Sequence, residues 1–185
     1  MDKIVDYQGL EEHICDTVKE WQMKLGYREE TMQLYYQDST LCSLLNVDSS
    51  MTKEALLKVL SGFLKYSEDR LGMCRFSYQG KRFCVEVPKQ GTLYVKEHRK
   101  DSPFLRDLID TVKKKDVTVK DIVQVFSSYS QSFVCEDRRK EELGYVLFFE
   151  DDTIDPYVYC VECDEFGASY HRFTKKDYQN LSSNH

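Results

Sequence analysis

The apolar residues switch between helical and strand-like spacing several times along the chain, and that order of periods limits the fold more than any single motif. From Leu10 to Leu25 they recur at Leu10, Ile14, Val18, Trp21 and Leu25, which predicts an amphipathic helix stopped by Gly26. Arg28–Tyr36 reads as a second, shorter helix, and Leu41, Leu44 and Leu45 form a third short apolar run after Ser39. Thr52 is placed to cap a helix in which Leu56, Leu60, Phe63 and Leu64 share a face. Between Met73 and Val87 the pattern alternates around Gln79–Gly80, a two-residue hairpin turn. That turn sets Phe76 opposite Phe83 and Cys74 opposite Val85, with Arg75, Ser77, Arg82 and Glu86 on the other face. Thr92–Glu97 is expected to add a third strand.

Helical spacing then returns. Ser102–Pro103 is an N-cap followed by proline at the first helical position, and Phe104, Leu105, Leu108, Ile109 and Val112 make a stripe behind it. Thr118 with Asp121 resembles a capping box, Val117 can staple onto Ile122, and Val119, Ile122, Val123 and Phe126 give the buried face. Strand spacing resumes at Tyr145–Glu150, Tyr157–Cys163 and Ala168–Phe173, joined by turns at Asp151–Pro156 and Asp164–Gly167. Short connections between adjacent strands imply an antiparallel meander. Thr174 and Asp177 cap a last short helix, stapled by Phe173 and Tyr178. The expected fold class is α+β: N-terminal helices, a β-hairpin or three-stranded unit, an αα-hairpin, then a C-terminal antiparallel β-meander and a short terminal helix. No Gly/Ser/Pro-rich linker divides it, so residues 1–185 are expected to form one domain.

Composition narrows the function classes. Against 32 Asp and Glu stand 26 Lys and Arg, a formal charge of −6. General binders of nucleic acid or of anionic membranes need a dense cationic surface, so neither partner is expected. No window of membrane-spanning length is apolar, and Met1–Gly9 lacks a signal-peptide core. The seven cysteines (15, 42, 74, 84, 135, 160 and 163) are odd in number and scattered through apolar patterns. Reduced thiols in a cytoplasm are the simplest account, and the expected localisation is cytoplasmic.

Cys160 and Cys163 form a lone CxxC. One pair fills half of a tetrahedral zinc shell, and a redox pair lies at a helix N-terminus rather than on a strand. Residues three apart on a strand also point to opposite faces, so two unrelated cysteines are the better reading. Cys160 and Glu162 do share a face, and antiparallel pairing brings His171 onto it with Ser169 and Phe173. Thiol, imidazole and carboxylate are the parts of an activated nucleophile. No oxyanion-hole signal accompanies them. Tyr145–Phe149 is apolar on both faces, which predicts cover on both sides, an enclosed His171 and an inert Cys160.

The helices at Ser102–Lys114 and Thr118–Tyr129 resemble a helix-turn-helix, helped by the basic run Lys113–Lys115. Asp116 and Asp121 at the start of the second helix oppose phosphate, so an αα-hairpin with a solvated face is preferred. Glu150, Asp151, Asp152 and Asp155 do not match a calcium loop and read as turn chemistry. Phosphate-binding glycine loops are missing from the sequence. His13 and His98 stand beside charged neighbours in surface or helix-face roles. The stretch holding Tyr27, Arg28, Tyr35 and Tyr36 has the composition of a protein-binding hot spot, and equally that of a helix corner closing over a core.

That stretch, KLGYREETMQLYYQDSTL, resembles the N-terminal signature of a bacterial family known only as a domain of unknown function. DPYVYC and YHRFTKKDY further on are similar to it too, so the likeness spans most of the chain. Gln37 stands where the family pattern has proline. The resemblance implies a bacterial cytoplasmic protein and supplies no activity, cofactor or site residue. The leading expectation is therefore a non-enzymatic interaction or regulatory protein without cofactor or metal. It would bind a protein partner or a second copy through Tyr27, Arg28, Tyr35 and Tyr36 or an exposed sheet face. An enzyme built on Cys160, Glu162 and His171 is the alternative, and a DNA-binding regulator using Thr118–Tyr129 a weaker one.

Overall fold

The computed structural model describes residues 4–182. Their contacts divide into two compact units, one ending at Asp101 and one beginning at Ser102. In the first, helix α1 (Tyr7–Leu25) starts where the Asp6 carboxylate accepts the Gly9 N–H at 2.8 Å. It is followed by β1 (Met32–Tyr36), α2 (Asp38–Leu44), α3 (Lys53–Leu71), β2 (Arg75–Gln79), β3 (Arg82–Val87) and α4 (Lys89–His98). Thr52 caps α3 as expected, its hydroxyl accepting the Ala55 N–H at 3.3 Å. The strands form an antiparallel sheet in the order β1-β3-β2. Leu34, Tyr36, Phe83, Val85 and Val87 join Leu10, Ile14, Val18, Leu60 and Phe63 in one core against a single face of that sheet.

Four expectations are corrected in this unit. The helix expected over 28–36 is instead a loop leading into β1. Met32, Leu34 and Tyr36 alternate with Gln33 and Tyr35, so an extended chain turns all three inward while β3 satisfies the backbone. The sheet's third strand is thus β1, and the run 92–97 lies in α4. Pro88 stands at that helix's N-cap, and Gly91, Thr92 and Val95 are buried at helical spacing. The hairpin turn lies one residue later than expected, at Gly80 and Lys81, so Phe76 faces Val85 and Tyr78 faces Phe83. Gly80, at φ +64°, takes the first position of a tight hairpin turn, and a two-residue shift keeps every side chain on its expected face. Finally, the buried stripe of α1 runs from Val18 to Gln22, leaving Trp21 and Leu25 exposed. The Gln22 amide donates to the Thr92 carbonyl at 2.8 Å, so α4 supplies a polar partner where an apolar contact was expected.

The second unit opens with the αα-hairpin, α5 (Pro103–Val112) and α6 (Val119–Tyr129). Ser102 accepts the Leu105 N–H at 3.2 Å, and the Asp121 carboxylate accepts from the Thr118 N–H and hydroxyl at 2.8 and 2.7 Å. Strands β4 (Phe133–Asp137), β5 (Tyr145–Phe149), β6 (Tyr157–Asp164) and β7 (Gly167–Thr174) form an antiparallel sheet in chain order, and α7 (Lys175–Ser182) ends the unit. This is the expected meander with one more strand. β4 was missed because its last three residues, Cys135, Glu136 and Asp137, are exposed at the sheet edge and carry little apolar pattern.

Cover on both faces of this sheet is present. On one, Phe104 of α5 and Phe126 of α6 pack against Phe149 and Tyr159 with ring centroids 4.8–5.7 Å apart. On the other, Val146, Val158 and Cys160 lie under Phe148, Phe173 and Tyr178. The terminal helix is capped as expected, the Thr174 hydroxyl accepting the Asp177 N–H at 3.1 Å. No helix among the described residues is long and apolar enough to cross a membrane.

Candidate functional site

Pairing of β6 with β7 sets Cys160 directly opposite His171 and Glu162 opposite Ser169, so the expected constellation shares a face. The cover over that face ends partway along it. Cys160 is 5 % exposed beneath Phe173 and Tyr178, whereas Glu162 and His171 are open to solvent. The expectation of an enclosed imidazole is corrected: α7 packs over the Val158–Cys160 part of β6 and leaves the outer end of the hairpin bare. Burial pushes the Cys160 thiol up to about 11, Arg138 opposing this only in part. No hydrogen bond joins Cys160, Glu162 and His171 among the described residues; the imidazole ring lies 6.5 Å from that of Phe173. A protonated, covered thiol beside an exposed base is a poor nucleophile.

Cys163 points to the opposite face from Cys160, which separates the CxxC pair as strand geometry requires. Among the described residues all seven cysteines are free thiols, and no group of three or more His, Cys, Asp or Glu side chains is placed to hold a metal ion. The acidic turn does local work. Asp151 accepts the Thr153 N–H and hydroxyl at 2.9 and 2.7 Å, and Asp155 accepts the Tyr157 N–H at 3.0 Å. A shallow groove of about 340 Å³ between α5 and α6 is lined by Asp107, Asp110 and Asp121 with Lys114. Its charge is wrong for a phosphate backbone. His13 sits 5.6 Å from the Tyr36 ring, and His98 stacks on Tyr94 at 4.5 Å.

The tyrosine-rich stretch does not form one surface. Tyr36 points into the core, while Tyr35 lies on the outer face of the first sheet and its hydroxyl donates to Gln33 at 3.1 Å. Tyr27 and Arg28 are exposed on the loop after α1. The Tyr27 hydroxyl donates to Asp101, which also holds Lys19 at 2.8 Å, and the Lys19 ammonium lies 5.1 Å from the Tyr27 ring. Next to this loop stand Trp21 and Leu25, which sequence periodicity assigned to the core. Lys24 lies 5.6 Å from the Trp21 ring. The missed signal was Gln22: after Leu10, Ile14 and Val18, a strict four-residue step reaches 22, not 21.

A family model described as "Domain of unknown function, E. rectale Gene description (DUF3877)" matches residues 7–182. No curated protein and no solved structure matches the chain.

Proposed function

Since the chain belongs to this family, whose function is unknown, we propose from its own residues that it is a non-enzymatic interaction or regulatory protein of the bacterial cytoplasm, working without cofactor. The observation that carries this reading is the aromatic end of α1. Trp21 and Leu25 are 43 % and 56 % exposed on the last turns of a helix whose earlier apolar residues are sealed. Tyr27 and Arg28 are exposed on the loop that follows the helix. Tryptophan, tyrosine and arginine are the residues that concentrate binding energy at protein interfaces, and the Lys19–Asp101 ion pair beside Tyr27 holds its ring in place beforehand. The covered setting of Cys160, whose thiol burial pushes up to about 11, supports the non-enzymatic side of the proposal.

The test is affinity capture from the native cytoplasm with the wild-type chain and with Trp21→Ala/Tyr27→Ala as baits. A partner protein is expected on the wild type and lost from the double variant, and melting temperatures and circular dichroism check that the variant, which loses the Tyr27–Asp101 hydrogen bond, still folds. Identical captured sets from the two baits would sink this surface.

A further inference from the structure

Strands β6 and β7 pair as far as Asp164 opposite Gly167, whereas β5 leaves β6 at Tyr145 opposite Val161. The β6–β7 hairpin therefore projects beyond its neighbour, and residues 162–164 have no strand beside them on the β5 side. Gly144 makes this step. At φ +69° it stands just before β5, its carbonyl accepting the Arg138 N–H at 2.8 Å, and a Cβ there would stand 2.4 Å from the Val161 carbonyl oxygen. What remains is a notch of about 220 Å³ floored by Tyr145 and Val161 and walled by Cys163.

Three properties of the notch point to one kind of occupant. Its free backbone edge can accept an added strand, the usual way an extended peptide joins a sheet. Phe166, at the hairpin tip, is 91 % exposed, and the turn that presents it is fixed by its N–H donating to the Asp164 carboxylate at 2.8 Å. Glu142 and Glu162 line the notch and Glu165 lies in the hairpin turn beside Phe166, all exposed and none in an ion pair among the described residues. The one cation lining it, Arg139, is held through two hydrogen bonds by Asp137 and lies 4.8 Å from the Tyr145 ring, so its charge is already answered.

We propose that this notch takes an extended cationic segment of a partner protein, with basic and apolar residues alternating, laid along the free edge of residues 162–164. Main-chain hydrogen bonds hold the strand, Phe166 and Tyr145 cover its apolar side chains, and the glutamates pair with its Lys or Arg residues. A second copy of this chain is the poorer occupant, because its own tip would bring Asp164 and Glu165 to an acidic rim. The inference extends the binding reading to a second surface in the other unit, and its test separates the two.

Random dodecapeptides displayed on phage are selected on the full wild-type chain. Enriched sequences are then synthesised and titrated against wild type, Phe166→Ala, a Glu142→Gln/Glu162→Gln/Glu165→Gln variant and Trp21→Ala. The substituted side chains are exposed, and melting temperatures check that the variants fold. Enriched peptides are expected to carry net positive charge with apolar residues at alternate positions. Phe166→Ala should weaken them at least about tenfold, the loss of an interface anchor. The triple variant should lose most of the salt dependence, and Trp21→Ala should change nothing. Amide resonances of Gly144 and of residues 162–167 should shift on binding. Neutral or acidic winners, no enrichment, full affinity for Phe166→Ala, or a Phe166-dependent dimer in sedimentation would each overturn the proposal.

Discussion

The core of the first unit lies against one face of its sheet and the sheet of the second is covered on both, and the sequences of β2 and β6 differ to match. In β2, Arg75, Ser77 and Gln79 point to solvent while Phe76 and Tyr78 face the core. In β6, Tyr157 to Val161 are buried without a break, because α5 and α6 receive one set of side chains and Tyr178 of α7 caps the other. Alternation marks a half-covered sheet and a continuous apolar run a sandwiched one. The difference also bears on function. The first unit exposes Trp21 and Leu25 at a helix end, whereas the second exposes Phe166 on a hairpin that outruns its cover.

The strongest challenge to this contrast is to cut into each sheet's surroundings. Phe126→Ala removes a fully buried ring from the cluster with Phe104, Phe149 and Tyr159, and should cost about 3–5 kcal/mol in denaturant unfolding. Tyr35→Ser, on the open face of the first sheet, should cost no more than about 1 kcal/mol, the scale of one cross-strand pair. Equal losses would mean that the open face is covered in solution.

A finer probe concerns the α7 side of the second sheet. Iodoacetamide at neutral pH should leave Cys160 unmodified in the folded chain, since the thiol is both covered and protonated well above neutrality. Tyr178→Ala should raise its labelling, read by peptide mass. Fast labelling of wild-type Cys160 that disappears in His171→Ala would instead restore the enzyme reading.

The smallest expected effect lies at the start of α6. Hydrogen bonds from Thr118 hold the Asp121 carboxyl below its ordinary value of 3.8. A carboxyl lowered in the folded state adds stability above its unfolded pKa and loses it as pH falls through the folded one. Thr118→Ala should cost about 1 kcal/mol at pH 7, and less in acid once the Asp121 carboxyl is protonated and the wild-type cap is itself weakened. A Thr118→Ala loss as large at pH 2 as at pH 7 would show that the carboxylate has no part in the cap.

Much of this was legible beforehand. Caps at Thr52, Ser102, Thr118 and Thr174, the shared face of Cys160 and His171, and the two-sided cover of β5 all depend on residues within a few positions of one another or on a period of two. Those are local rules, and the chain obeys them. The errors fell where partners lie far apart in sequence. β1 pairs with β3 about fifty residues later, and Gln22 bonds to Thr92 seventy residues later. For short segments such as 32–36 and 92–97, intrinsic preference is weak, and the free energy of the distant ladder or core decides.

The candidate surfaces divide in the same way. Alternation alone put Cys160, Glu162 and His171 on one face, but which part of that face α7 covers is a matter of packing, and it left the thiol covered and the imidazole exposed. Neither the exposed turn of α1 nor the notch beside Gly144 has a motif: the first exists because the buried stripe passes through Gln22, and the second because β5 ends before β6 does. Side-chain spacing along a strand or helix is set by backbone geometry, so the sequence by itself determined the faces. Where the cover stops depends on the relative lengths of elements brought together by folding, and only the tertiary structure decided that.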